Sequence, residues 1–190
     1  MHRKLRIGID IDGCVTCPTA LVPFLQKSFD QNLKYEDITE YDLGKVLNQP
    51  DDIIQQWFKD YQEEIYRTSP VHKGADKVLN DWAKSFHLIF ISARYEFLNE
   101  ITLNWFKEHN IPFHHIELTG SHNKLEACKK LEVDYFIEDK LDNALDIHHE
   151  LNIPVFLFNT PYNQSELPEG VIRVFDWRSL DQKLNQMIQK

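Results

Sequence analysis

The sequence predicts an α/β protein, a doubly wound parallel sheet with a small helical cap inserted after the first strand. Three observations carry this expectation. Five short runs are nearly continuous in apolar character, as strands buried on both faces of a parallel sheet are. Helical patterns fill most of the gaps between them. The gap between the first two runs is the exception, because residues 16 to 70 hold helical spacing and no strand pattern.

The first strand is Leu5 to Ile9. A helix then runs from Thr19 to Leu33, with Leu21, Leu25, Phe29 and Leu33 at intervals of four and Pro23 close to its start. A second follows Pro50, with Asp51 or Asp52 as its N-cap and Ile53, Ile54, Trp57, Phe58, Tyr61 and Ile65 on one face. A third, after Gly74, carries Val78, Leu79 and Trp82 and returns the chain to the sheet. Strands follow at Leu88 to Ile91, His115 to Leu118, Tyr135 to Ile137 and Val155 to Phe158. Between them lie helices at Glu96 to His109, with a stripe of Phe97, Ile101, Trp105 and Phe106, at Asn123 to Leu131 and at Leu141 to Leu151. A last apolar run, Val171 to Phe175, and a polar helix from Ser179 close the chain. The expected division is a core of residues 1–15 and 71–190 with a cap of residues 16–70.

Length and charge narrow the function. A chain of 190 residues holds one domain with an insertion, and a domain of that size buries roughly 70% of its unfolded surface. The net charge of -9 repels nucleic-acid backbones, so no nucleic-acid polymer is expected as partner. Small anionic substrates remain open, because a bound cation reverses the local field. Cys14, Cys17 and Cys128 form no disulfide framework. The N-terminal apolar run already contains Asp10 and Asp12, which makes it too acidic and too short for a signal peptide or a membrane span. The expected location is therefore a reducing cytoplasm.

Chemistry-bearing residues cluster after strands. Ligands in open α/β sheets bind beyond the carboxyl ends of the strands. Asp10 and Asp12 leave the first strand into Gly13, which suits a metal or phosphate site. A calcium loop does not fit, since that motif places glycine sixth and Gly13 falls fourth from Asp10. Ser92, after the second strand, is either a helix cap or a phosphate donor alongside backbone N–H groups. Lys124 is either solvated or an anion contact near a helix start. Glu138 and Asp139 follow the fourth strand, and hard oxygen ligands in small number suit Mg²⁺. Arg94 either reads a second anionic group or pairs with an acidic neighbour. Cys14 and Cys17 form a C-x-x-C pair without enough further ligands for zinc.

Asp10-x-Asp12-Gly13, then Ser92, Lys124 and Glu138-Asp139, in this order and spacing, resemble the haloacid dehalogenase superfamily of phosphohydrolases across essentially the whole chain. The insertion after the first motif is similar to the cap of its 5'(3')-deoxyribonucleotidase branch. That resemblance implies Asp10 as nucleophile, Asp12 as general acid and base, and Mg²⁺ held by Asp10, the Asp12 backbone carbonyl and Asp139. It implies that Ser92, Ala93, Lys124 and Gly13 hold phosphate oxygens. Glu138 and Asp142 are expected beside the metal site as supporting groups. The implied substrate is a small phosphomonoester, with nucleoside monophosphates ahead of sugar phosphates, and a homodimer is the family expectation. A silent phosphate-binding regulator is the rival from another class, but it has no use for both Asp10 and Asp12. Phe24, Tyr41, Trp57 and Tyr61 are candidate base-stacking rings, against the plainer reading of a helical core stripe. Asn159 to Asn163, after the fifth strand, is placed at the pocket's edge.

Overall fold

The computed structural model describes residues 3–29, 32–121 and 123–189. Six strands, β1 (Arg6–Ile9), β2 (His87–Ser92), β3 (His115–Leu118), β4 (Tyr135–Glu138), β5 (Val155–Phe158) and β6 (Val171–Val174), form one sheet. All pair in parallel, in the order β3-β2-β1-β4-β5-β6. The direction of winding reverses between β1 and β4, and open sheets of this kind place their crevice beyond that point.

Side chains alternate across the sheet, and both faces are covered. Ile7, Ile9, Leu88 and Phe90 point into one core. It is closed by α4 (Ala75–Ser85), α5 (Asn99–Glu108) and α8 (Trp177–Ile188). Ile89, Ile91, Phe136 and Leu157 point into the other, under α6 (Leu125–Lys130) and α7 (Leu141–Leu151). This two-sided burial is why the strands read as continuous apolar runs.

The segment after β1 contributes α1 (Val22–Phe29), α2 (Leu43–Leu47) and α3 (Asp51–Thr68) around a third cluster that includes Leu25, Leu47, Trp57 and Ile65. Both of its ends meet at one place. Thr16 bridges Val71 antiparallel, Cys17 N donates to Pro70 O at 2.7 Å, and His72 N donates to Val15 O at 2.8 Å. Trp105 Nε1 donates to Ser69 O and Trp177 Nε1 to Cys14 O, so two core indoles anchor the crossing.

Several boundaries differ from expectation for local reasons. The first inserted helix starts at Val22 rather than Thr19, which puts Pro23 in the first turn, where its missing N–H costs nothing. Its predicted last turn includes Asp30 and Gln31, which lie outside the described residues. In α3 the N-cap is Pro50, without a side-chain cap, and Asp51 and Asp52 occupy the first turn, where they complement the helix dipole. Ile53 faces solvent. The helix expected from Glu96 begins as a 3₁₀ turn, Glu96–Leu98. That change of pitch takes Phe97 out of the stripe, leaving it 63% exposed and stacked on Tyr95. The last helix starts earlier than Ser179, because Asp176 caps it by accepting from Ser179 N. Among the described residues, no helix is long and apolar enough to cross a membrane.

Gly8 lets β1 approach its neighbour closely. A Cβ there would lie 2.5 Å from Phe136 Cδ2 and 2.8 Å from Val133 Cγ1, both packed in the core. Gly8→Ala is expected to lower unfolding stability by about 1–3 kcal/mol. A urea midpoint equal to that of the unaltered protein would show that this contact yields freely.

Candidate active site

The carboxyl ends of β1 and β4 lie side by side, with Ile9 in register with Ile137 and Asp10 N donating to Ile137 O at 2.9 Å. Asp10 and Asp12 therefore leave β1 next to Glu138 and Asp139. Asp10, Glu138 and Asp139 are buried. Lys124, the residue that caps α6, is buried among them. Its Nζ donates to Asp10 Oδ1 at 2.6 Å and to Glu138 Oε2 at 2.8 Å. The solvated-lysine reading is thereby excluded.

Charge sets the character of this floor. Of three buried carboxyl groups, two, Asp10 and Glu138, share one ammonium, while Asp139 accepts from Tyr162. Burial pushes the Asp10 carboxyl up to about 7; Lys124 opposes the rise, while Glu138 and Asp12 add to it. Burial likewise raises Asp139 well above the usual carboxyl range, reinforced by Glu138 and Asp10. Burial also works against ionised Glu138, but Lys124, the Asp139 carboxyl group and the Lys140 N–H hold it below its ordinary value. Lys124 is raised well above an ordinary lysine, its burial outweighed by Asp10 and Glu138.

These residues fit a hard divalent cation. Oxygen atoms of Asp10 and Asp139 lie within 4.8 Å of one another, a spacing one ion can bridge, and a cation there would favour the ionised form that burial opposes in both. Cys14 Sγ falls in the same group, but burial pushes its thiol well up, and a protonated thiol does not compete for such an ion. Gly13 adopts φ +83°, and a Cβ there would collide with the Asp139 carboxylate. Its glycine is thus required by both the turn and the close approach.

Asp12 is different: its side chain is 38% exposed and held in a bidentate pair with Arg94. Arg94 accordingly pairs with an acidic neighbour. Ser92 and Ala93 line the same cavity, and Arg94 N donates to Ser92 Oγ at 3.3 Å. Gly13 lines it too, with its N–H directed to Thr16 Oγ1 at 3.1 Å. Asp142 does not join the site. It is exposed on the first turn of α7, and the next residue, Asn143, faces inward and donates to Glu138 Oε2 at 3.3 Å.

The cavity measures about 620 Å³. Of the four rings named as stacking candidates, only Tyr41 lines it. Trp57 is buried in the insertion's own core, and Phe24 packs edge-on against Tyr61 there. Tyr35, Phe58 and Tyr66 line the cavity instead. The loop after β5, expected at the pocket's edge, reaches the site: Tyr162 lines the cavity. Tyr162 donates to Asp139 Oδ2, and Asn163 Nδ2 donates to Asp139 O at 2.7 Å. Arg173 in turn holds Asn163 at 2.7 Å. The position of Tyr162 beyond a strand's carboxyl end was the available signal.

A family model described as "5' nucleotidase, deoxy (Pyrimidine), cytosolic type C protein" matches residues 3–189. A Halalkalibacterium halodurans protein bearing a nucleotidase name is 44% identical over 177 residues, covering 93% of this chain and 91% of that one. Among solved structures, a haloacid dehalogenase-like hydrolase from Streptococcus pneumoniae superposes with a TM-score of 0.67 at 13% identity, covering 98% of this chain and 99% of that one. A Bacillus subtilis HAD-hydrolase, bound to magnesium in its structure, gives 0.65 at 14% identity, covering 97% of this chain and all of the other.

Lys124→Met, a near-isosteric change, leaves two buried carboxyl groups, Asp10 and Glu138, without their cation. A loss of about 3–5 kcal/mol in unfolding stability is expected in metal-free buffer. Denaturation at neutral pH with a chelator present measures it, and a loss below 1 kcal/mol would contradict the charge balance described here.

Proposed function

This chain belongs to the cytosolic type C 5' nucleotidase family of haloacid dehalogenase-like phosphoric monoester hydrolases, and on that premise we propose a specific reaction for it. It is a Mg²⁺-dependent nucleotidase that hydrolyses (deoxy)nucleoside monophosphates through an aspartyl-phosphate. The supporting observation is the placement of Asp10, tied to Lys124, with the accessible Asp12 beside the same cavity.

In the first step an Asp10 oxygen attacks phosphorus and the ester P–O bond breaks. Asp12 gives its proton to the departing alcohol. In the second step water attacks phosphorus, Asp12 takes the proton, and the Asp10–phosphorus bond breaks to release inorganic phosphate. Lys124 steadies the nucleophile, while Ser92 and the N–H group of Ala93 hold equatorial oxygens; Gly13, whose N–H is taken by Thr16, shapes the turn beside them. Mg²⁺, held by Asp10, the Asp12 carbonyl and Asp139, supplies Lewis-acid polarisation and offsets repulsion between nucleophile and phosphate.

Residues 16–70 act as the cap that selects the substrate. Four rings from this segment, Tyr35, Tyr41, Phe58 and Tyr66, line a cavity of the size small-ligand sites have, which favours a nucleobase over a bare sugar. Three unpaired thiols support a reducing cytoplasm as its place of work.

With Mg²⁺ present, Asp10→Asn should lower turnover on the order of 10⁴-fold or more. In a panel of nucleoside monophosphates and sugar phosphates, the nucleotides should show the higher kcat/KM. Undiminished turnover in Asp10→Asn sinks the mechanism, and preference for sugar phosphates sinks the substrate class. Saturating Mg²⁺, at about 100 times its dissociation constant, should stabilise the unaltered protein by about 2.7 kcal/mol. Asp139→Asn should abolish that gain, read as the Mg²⁺-induced shift in Tm.

A further inference from the structure

Arg94 follows closely on β2 and is among the largest side chains that are fully buried. Its Nε donates to Asp12 Oδ2 at 2.9 Å and its NH2 group to Asp12 Oδ1 at 2.7 Å. On its other side, NH1 donates to Thr102 Oγ1 at 3.0 Å, and Thr102 passes the bond to Leu98 O at 2.9 Å. The Tyr66 ring, from α3 of the insertion, lies 4.0 Å from the guanidinium carbon. The guanidinium therefore meets Asp12, α5 and the insertion at once.

We propose that Arg94 is a positioning residue for the reaction: it fixes the Asp12 carboxylate against the cavity, and through Tyr66 it makes that alignment depend on the seated insertion. The inference rests on the acid–base role of Asp12 proposed above. An aspartate in a turn can swing about χ1 and χ2. A planar fork donating to both oxygens fixes the carboxylate's place and its plane, which an ammonium cannot do. Displacing a proton donor by about 1 Å can cost on the order of 10²-fold in rate. Binding a second anionic group of the substrate would instead require Arg94 to abandon Asp12 and emerge from full burial.

Leaving groups separate these roles. p-Nitrophenolate departs without a proton, whereas the alkoxide of a nucleoside monophosphate needs one. Single-turnover release and steady-state kinetics of each are measured with the whole 190-residue, Mg²⁺-loaded chain. Arg94→Lys keeps the charge and loses the fork. It should slow nucleoside release on the order of 10²-fold, slow p-nitrophenolate release far less, and leave KM for both nearly unchanged. Thr102→Val removes the NH1 partner without touching Asp12 or the cavity, and should give the same pattern at smaller amplitude. It carries the test if Arg94→Lys fails to fold, as judged by thermal unfolding. Equal losses for both substrates, or no loss, overturn the proposal, as does a raised KM for the nucleotide at unchanged kcat. Asp12→Asn is the reference. If it lacks the leaving-group dependence, the acid–base reading itself fails. If it shows the dependence and both other variants do not, only the role of Arg94 falls.

Discussion

One buried ammonium holds the floor of the cavity together. Removing an ion from water costs several kcal/mol, and only close, well-directed partners offset it. Lys124 finds two, Asp10 and Glu138, the first of them 114 residues away in the chain. That requirement pins three segments at once: the end of β1, the start of α6 and the end of β4. The strand order makes it possible, because β1 and β4 are neighbours at the reversal of winding. Fold and site are thus one solution, in which parallel strands bring acids together and a single helix start supplies the counter-charge.

The floor holds more carboxyl groups than Lys124 can pair, and the surrounding groups divide around them. Tyr162 and Asn163 restrain Asp139, the second from its backbone and the first from its carboxylate. Asn143 and two backbone N–H groups occupy Glu138. Asp12 is kept out of this cluster by its own cation, Arg94. Two acids that are two residues apart therefore experience opposite surroundings, one buried against an ammonium and one accessible against a guanidinium. Different environments for a carboxylate pair are what different roles in one reaction demand.

Much of this was legible in the sequence, and the failures share a cause. Strands buried on both faces announce themselves as apolar runs, so β3 and β5 coincide with expectation to the residue. Acids after buried strands are conspicuous for the same reason. Facing was harder to read. Asp142 and Asn143 are neighbours on α7, and only the helix phase decides which of them reaches Glu138. Phe97 fits a 3.6-residue stripe that a single 3₁₀ turn removes. Trp57 and Tyr61 share a helix with Phe58 and Tyr66, yet only the latter two line the cavity. Spacing along α3 identifies its apolar side but not which part of that side looks toward the sheet. The partner of Arg94 was one of two open readings, since pairing across the fold leaves no local trace.

The bridge between Thr16 and Val71 has a consequence for how such a protein can change over time. The inserted helices leave and rejoin the sheet at one point, so the β1–β2 pairing does not depend on what lies between. Closing a longer excursion costs entropy only as the logarithm of its length, about 0.6 kcal/mol for each doubling. The sheet can therefore carry inserts of different size while Asp10, Glu138 and Lys124 keep their places; Asp12, held by Arg94 against Tyr66, is the acid that would feel the exchange. In such a lineage the rings that the insertion lends to the cavity can change while the charged floor beneath them persists.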